Sequence, residues 1–106
     1  MISFKEFKKM EMKVGTIKKV EEIPNSKNLL KLKVDIGGTV KQAVAGIKGY
    51  YKLSELEGKQ FVFLTNLESA KLMGELSEIM VLAAVEGERV VLIKPEKEIS
   101  NGAIIE

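Results

Sequence analysis

The side chains able to do chemistry in this chain are lysines and carboxylates. Its 106 residues include no His, no Cys and no Trp. A histidine-based triad, a cysteine nucleophile and a Cys/His zinc site are therefore excluded. General acid–base work would fall to Lys, Asp or Glu, which argues against an enzyme. What lysines do readily is bind anions, and here they are unevenly placed. Residues 1–60 hold thirteen Lys against seven acids, whereas residues 61–106 hold four Lys or Arg against eight acids. A basic half in a chain of net charge +2 points to an anionic partner met by one face. Ordinary solubilising lysine is the plain alternative. Residues 66–84, NLESAKLMGELSEIMVLAA, set a lysine, a glycine, a serine and glutamates just before an apolar run. A chain about to enter its core rarely spends polar and flexible residues there without a use for them.

The elements that must position these groups are mostly strands. Ser3 and Glu6 form a capping-box pattern, with Ile2 and Phe7 placed as a hydrophobic staple and Phe4, Phe7 and Met10 at helical spacing. A short helix at the front follows. Residues 14–23 read as a long, bent or bulged strand with Gly15 as its flexible point, and PNSKN at 24–28 is a loop. Residues 29–36, LLKLKVDI, alternate strictly: Leu30, Leu32, Val34 and Ile36 face one way, Lys31, Lys33 and Asp35 the other. Gly37-Gly38 makes a hairpin turn to a partner strand at 39–46. Residues 54–57 fit one capped helical turn ending at Gly58. Strands at 59–67, 79–85 and 90–95 follow, the last two joined by a hairpin at 86–89, with a loop between the first two. A turn at Asn101-Gly102 leads to an apolar end.

Five or so short strands in this length predict an all-β, five-stranded Greek-key barrel of the oligonucleotide-binding (OB) type, with a short N-terminal helix. The whole of 1–106 then forms one domain, with helix and barrel over about 1–93 and a tail over 94–106. The second and third strands would carry Lys31, Lys33 and Lys41 on a polar face. Residues 61–64, 79–85 and 90–93 are apolar on both faces, whereas a closed barrel buries only one. The front helix, the tail or a second copy of the chain must cover the rest, and a homodimer is expected. No apolar run is long enough to span a membrane, and no secretion signal opens the chain. A cytoplasmic protein, with no cofactor and no membrane partner, is expected.

Several segments in register carry a resemblance: FKKMEMKVGTI, IPNSKNLLKLKVDIGG, KQAVAGI, LEGKQFVFLTNL, AKLMGELSEIMVLAA and PEKEISNGAII. From Phe4 to Ile105 the chain resembles the tRNA-binding domain family. That family includes the C-terminal domain of methionyl-tRNA synthetase and free-standing tRNA-binding proteins. The resemblance implies an OB barrel without catalytic activity, pairing as a homodimer through its C-terminal segment. It implies structure-specific, largely sequence-independent binding of tRNA, with a methionyl-tRNA synthetase catalytic chain as a further partner. Carried over by position, Asn66, Lys71, Ser77 and Met80 join Lys31, Lys33 and Lys41 as the expected tRNA-binding residues. Lys71 would meet phosphate, Asn66 and Ser77 would hydrogen-bond to phosphate or a 2′-hydroxyl, and Met80 would lie against a base or ribose.

The chain departs from the family's common pattern at Glu68-Ser69, Met73 and Ile79, where Lys-Pro, Arg and Gly are usual, and at Asn28, where Lys is usual. These changes remove positive charge from the expected RNA face, and Glu68 and Glu75 add negative charge. The SEIMVL segment (77–82) resembles the export-related, chaperone-like proteins that share the barrel and bind peptides. Peptide binding on the same dimeric fold is the alternative function.

Overall fold

The computed structural model describes residues 1–106. Ser3 opens the first ordered element. Its hydroxyl accepts a hydrogen bond from the Glu6 N–H at 3.1 Å, and a single turn, α1 (Phe4–Phe7), follows. The Ser3 hydroxyl also donates to the Glu6 carboxylate at 3.4 Å, in place of the reciprocal bond from the Ser3 N–H that would complete the box. The helix buries none of its residues, and Ile2 and Phe4 stand exposed, so it lends the barrel little cover.

The strands are β1 (Met12–Glu22), β2 (Leu30–Asp35), β3 (Val40–Ala45), β4 (Gln60–Leu64), β5 (Ala70–Leu72), β6 (Glu75–Ser77), β7 (Met80–Val81), β8 (Ala83–Glu86) and β9 (Arg89–Leu92), with a helical turn α2 (Leu53–Leu56) before β4. Five of them form one sheet in the order β3-β2-β1-β4-β7, every hydrogen-bonded neighbour antiparallel. The sheet curls until its edges meet. Ala43 of β3 bridges Ile79 in parallel, and the Gln42 carbonyl accepts from the Glu78 and Ile79 N–H groups at 2.8 and 3.4 Å. This is the nearly closed OB-type barrel expected from the strand pattern.

Alternation in β2 places Leu30, Leu32 and Val34 fully inside, where they meet Ile17, Phe61, Phe63 and Ile79. Each large apolar side chain so buried stabilises the fold by roughly 1.5–3 kcal/mol before entropy is counted. β1 serves two partners in turn. Met12–Thr16 pairs with β4, and Thr16–Glu22 pairs with β2. The register slips between Ile17 and Lys19, so the bulge lies at Lys18 rather than at Gly15. Gly15 is required for another reason: a Cβ there would sit 2.8 Å from Val34 Cγ1 and 3.0 Å from the Asp35 carbonyl oxygen. The two strands approach too closely for a side chain.

The tail takes the edge of β1 that β2 leaves free. Val14 N–H donates to the Ala103 carbonyl at 2.9 Å, Gly102 N–H to the Val14 carbonyl at 2.7 Å, and Ile105 N–H to the Met12 carbonyl at 2.9 Å.

Three local expectations are corrected. The cap of α2 is Lys52, not Ser54: its N–H donates to the Glu55 carboxylate at 2.8 Å, and Gly58 ends the turn at φ +78°. The segment read as a loop between 67 and 79 contains the β5–β6 hairpin, which reverses at Met73-Gly74 with both residues at positive φ, as a tight two-residue turn requires. The strand read over 79–85 breaks after Val81. The Leu82 N–H still donates to the Val62 carbonyl at 3.0 Å, but the Val62 N–H donates to the Ile93 carbonyl at 2.9 Å and the Ile93 N–H to the Leu82 carbonyl at 3.0 Å, so residue 93 intervenes and the ladder with β4 ends there. β8 then leaves the barrel and pairs with β9 as a separate ribbon. That ribbon remains open: Val85 is 68% and Val91 47% exposed. No helix is long and apolar enough to cross a membrane.

Candidate nucleic-acid interface

Cross-strand register decides which side chains share the outer face of β1, β2 and β3. Opposite residues point to the same side of a sheet. One outer row is therefore Glu21–Lys31–Val44, and the next is Lys19–Lys33–Gln42. Lys19 and Lys33 stand directly opposite one another, and two like charges so placed repel unless an anion joins them. Lys19 leans to Glu21 at 3.8 Å with its side chain 66% exposed. Lys33 leans the other way, donating from Nζ to Gln42 Oε1.

Lys41 lies off this face. It is opposite Val34, a core residue, so it occupies the inward register at the barrel mouth and reaches Glu78 at 3.8 Å. Gln42, not Lys41, is the outward partner of Lys33. Alternation within each strand gives each face but not the phase between strands. Lys19 and Gln42 were therefore not legible as site residues, since the Lys18 bulge sets the phase of the first and the β2–β3 register that of the second.

The β5–β6 hairpin folds against this sheet and is fastened at one end. Gln42 Nε2 donates to the Leu76 carbonyl at 2.7 Å, and the Gln42 N–H donates to the Glu78 carboxylate at 3.0 Å. The Ser77 hydroxyl accepts from the Val44 N–H and donates to the Ile79 carbonyl, both at 3.0 Å. Ser77 is buried, and its hydroxyl stitches β3 to the strand that closes the barrel. Further along the hairpin, Glu75 meets Lys31 at 3.3 Å, and Glu21 meets Lys31 from the other side at 4.0 Å.

Asn66 also spends its polar atoms internally. Oδ1 accepts from the Glu11 N–H at 2.9 Å and Nδ2 donates to the Lys9 carbonyl at 2.7 Å. The amide fastens the link between α1 and β1 to the end of β4. Lys71, on the exposed strand β5, makes no ion pair. Met80 is 45% exposed opposite Leu64, and Leu72, Met73 and Leu76 are exposed nearby on the hairpin. Lys31, Lys33 and Lys71 thus present the basic groups, Met80 adds an apolar edge, and Asn66 and Ser77 hold the frame.

The opposite end of the same sheet is fixed by Asp35. Its carboxylate accepts from the Gly37 N–H at 2.9 Å and the Gly38 N–H at 3.3 Å, across a turn where both glycines have positive φ. The Gly37 bond above all holds this carboxyl below the usual aspartate range, with Gly38, the Asn101 side chain and Lys18 adding to it.

Comparison with known proteins agrees with this architecture. The family model described as tRNA binding domain matches residues 12–104. The methionine–tRNA ligase of Thermococcus kodakarensis is 49% identical over 104 residues, which is 98% of this chain and 14% of that enzyme. That of Methanococcus aeolicus is 50% identical over 105 residues, 99% of this chain and 16% of the enzyme. The chain thus spans about a seventh of the length of these ligases. Among solved structures, a MetRS-related protein from Pyrococcus horikoshii superposes with a TM-score of 0.94 at 38% identity, covering 100% of this chain and 98% of its own. The CsaA chaperone of Bacillus anthracis superposes at 0.89 with 33% identity, over 100% of this chain and 99% of its own. With the family model spanning the barrel and its tail, and with relatives matching nearly end to end, this chain belongs to the tRNA-binding domain family.

Proposed function

We propose that this protein binds tRNA through its phosphodiester backbone, without catalysis and with little sequence selectivity, as a homodimer working beside a methionyl-tRNA synthetase catalytic chain. The observation that carries the reading is the Lys19–Lys33 pair on the outer face of a family-matched OB barrel. These lysines hold opposed register positions on one face, so a phosphate between them relieves their mutual repulsion, and phosphate contacts supply most of such affinity without reading sequence. Lys33 and Lys71 contact phosphate directly, and Met80 lies against a base or ribose. Lys31 contributes once Glu75 yields, and Lys41 adds positive charge from the barrel mouth. Asn66 and Ser77 act by positioning the surface, since their polar atoms are already engaged.

The homodimer is supported by apolar surface that the barrel does not cover. Phe4, Val85, Val91 and Ile104 are exposed, and Phe7, Met10, Met12, Ile104 and Ile105 line a groove between α1 and the tail. A chain of this size gains stability by burying such area against a second copy.

A second reading is peptide binding. The likeness to the CsaA chaperones of Bacillus anthracis and Picrophilus torridus favours it, as do Leu72, Met73, Leu76 and Met80 exposed beside Glu75 and Glu78. Titration of bulk tRNA with the purified protein separates the two. The tRNA reading expects micromolar or tighter binding, much weaker binding of duplex DNA, and no displacement by an unfolded polypeptide. Peptide binding without tRNA binding at low salt would overturn it.

A further inference from the structure

We propose that the β5–β6 hairpin is an electrostatic gate: Glu75 holds Lys31 where a phosphodiester group of a bound RNA would be held, so binding exchanges an internal anion for an external one. The inference deepens the tRNA-binding reading and rests on it.

Three observations lead here. First, the Lys31 side chain is only 19% exposed and is held by Glu75 at 3.3 Å. The carboxylate comes from the hairpin, whereas the lysine comes from the sheet. Second, the hairpin is anchored at one end only. Residues 76–79 carry its bonds to β3 through Gln42 and Val44. Residues 67–75 make no backbone hydrogen bond outside the hairpin, and the Lys31–Glu75 contact is what ties this part to the sheet. Third, both residues of the Met73-Gly74 turn adopt positive φ, and no atom lies within 4 Å of where a Gly74 Cβ would be. The tip therefore stands clear of the rest of the chain.

A partly exposed ion pair contributes little net stability, so replacing Glu75 by phosphate on Lys31 costs the fold little. The same pair limits affinity. The counterions released on binding come from the nucleic acid as its phosphates are neutralised, so a lysine already neutralised by a carboxylate displaces fewer and its contribution to the salt dependence is muted. Glu21, at 4.0 Å, stays beside Lys31 when Glu75 leaves and keeps the lysine from being stranded.

The test compares tRNA affinity of the wild-type protein, Glu75→Gln, Lys31→Ala and the double variant, with Glu88→Gln on the β8–β9 turn as a charge control. Glu75→Gln is near-isosteric and leaves the Ser77 and Gln42 anchors in place, and its unfolding midpoint should match wild type. The gate predicts tighter binding of Glu75→Gln by about three- to tenfold near 50 mM salt, with a slope of log K on log salt steeper by about 0.7–0.9. Lys31→Ala should weaken binding more in the Glu75→Gln background than in wild type, by about the three- to tenfold that Glu75→Gln gains, so the double variant shows no gain over Lys31→Ala. Glu88→Gln should stay within about twofold of wild type. Equal effects of Glu75→Gln and Glu88→Gln would overturn the gate, as would an equal loss from Lys31→Ala in both backgrounds. Wild-type binding with no gain in Glu75→Gln removes the gate alone. Absence of tRNA binding by both proteins removes the gate together with the tRNA reading.

Discussion

Single side chains here divide into those that hold the surface and those that can meet a ligand, and hydrogen bonding makes the division. Ser77 and Asn66 look like ligand contacts by their position, yet each already satisfies two backbone groups. Ser77→Ala leaves the Val44 N–H without its partner and should lower unfolding free energy by about 1–3 kcal/mol. Chemical denaturation would show it, while the tRNA affinity of the folded protein should move by less than about twofold. Asp35 gives a pH-dependent counterpart. Its carboxyl is held low in the folded state, chiefly by the Gly37 N–H. It therefore contributes stability above the ordinary aspartate pKa of about 3.9, and that contribution is lost as pH falls through the lower folded value. Asp35→Asn should unfold at lower denaturant than wild type at pH 7. The gap should close in acid, and a gap that stayed constant down to strong acid would contradict the assignment.

Among the elements, those whose burial follows one simple period were legible in the sequence. β2 alternates between core and solvent, and both its position and the lysines on its outer side follow from that pattern. The β5–β6 hairpin was not legible because its residues are largely exposed and no apolar period marks it; only Gly74 hints at the turn. The break between β7 and β8 was hidden by a continuous apolar run, of which one part fills the barrel and the other lies open. The candidate site suffered most, because its makeup depends on the phase between strands. The Lys18 bulge brings Lys19 opposite Lys33, and the β2–β3 register turns Lys41 inward. Gly15 was rightly singled out but for a different property, since crowding rather than flexibility requires it. Gly15→Ala should destabilise by about 1–3 kcal/mol through overpacking against Val34, measured as a shift in denaturation midpoint. An unchanged midpoint would contradict the close approach of β1 and β2.

At the scale of the whole molecule, the tail and the front helix form a border that the barrel does not finish alone. The tail completes an edge of β1, while Ile104 still faces outward at 67% exposure. Deleting residues 99–106 should convert the proposed dimer to a monomer in sedimentation velocity and lower its stability, because Val14 loses both backbone partners in the tail. A truncated protein that kept its mass and stability would place the pairing surface elsewhere. The central claim, that a basic sheet face binds the backbone of tRNA, is tested most directly by the salt dependence of the affinity. Binding of bulk tRNA measured from about 50 to 200 mM salt should weaken with a log–log slope of about −2 to −4, matching a few phosphate contacts. A slope near zero, or no binding at the lowest salt, would contradict the account.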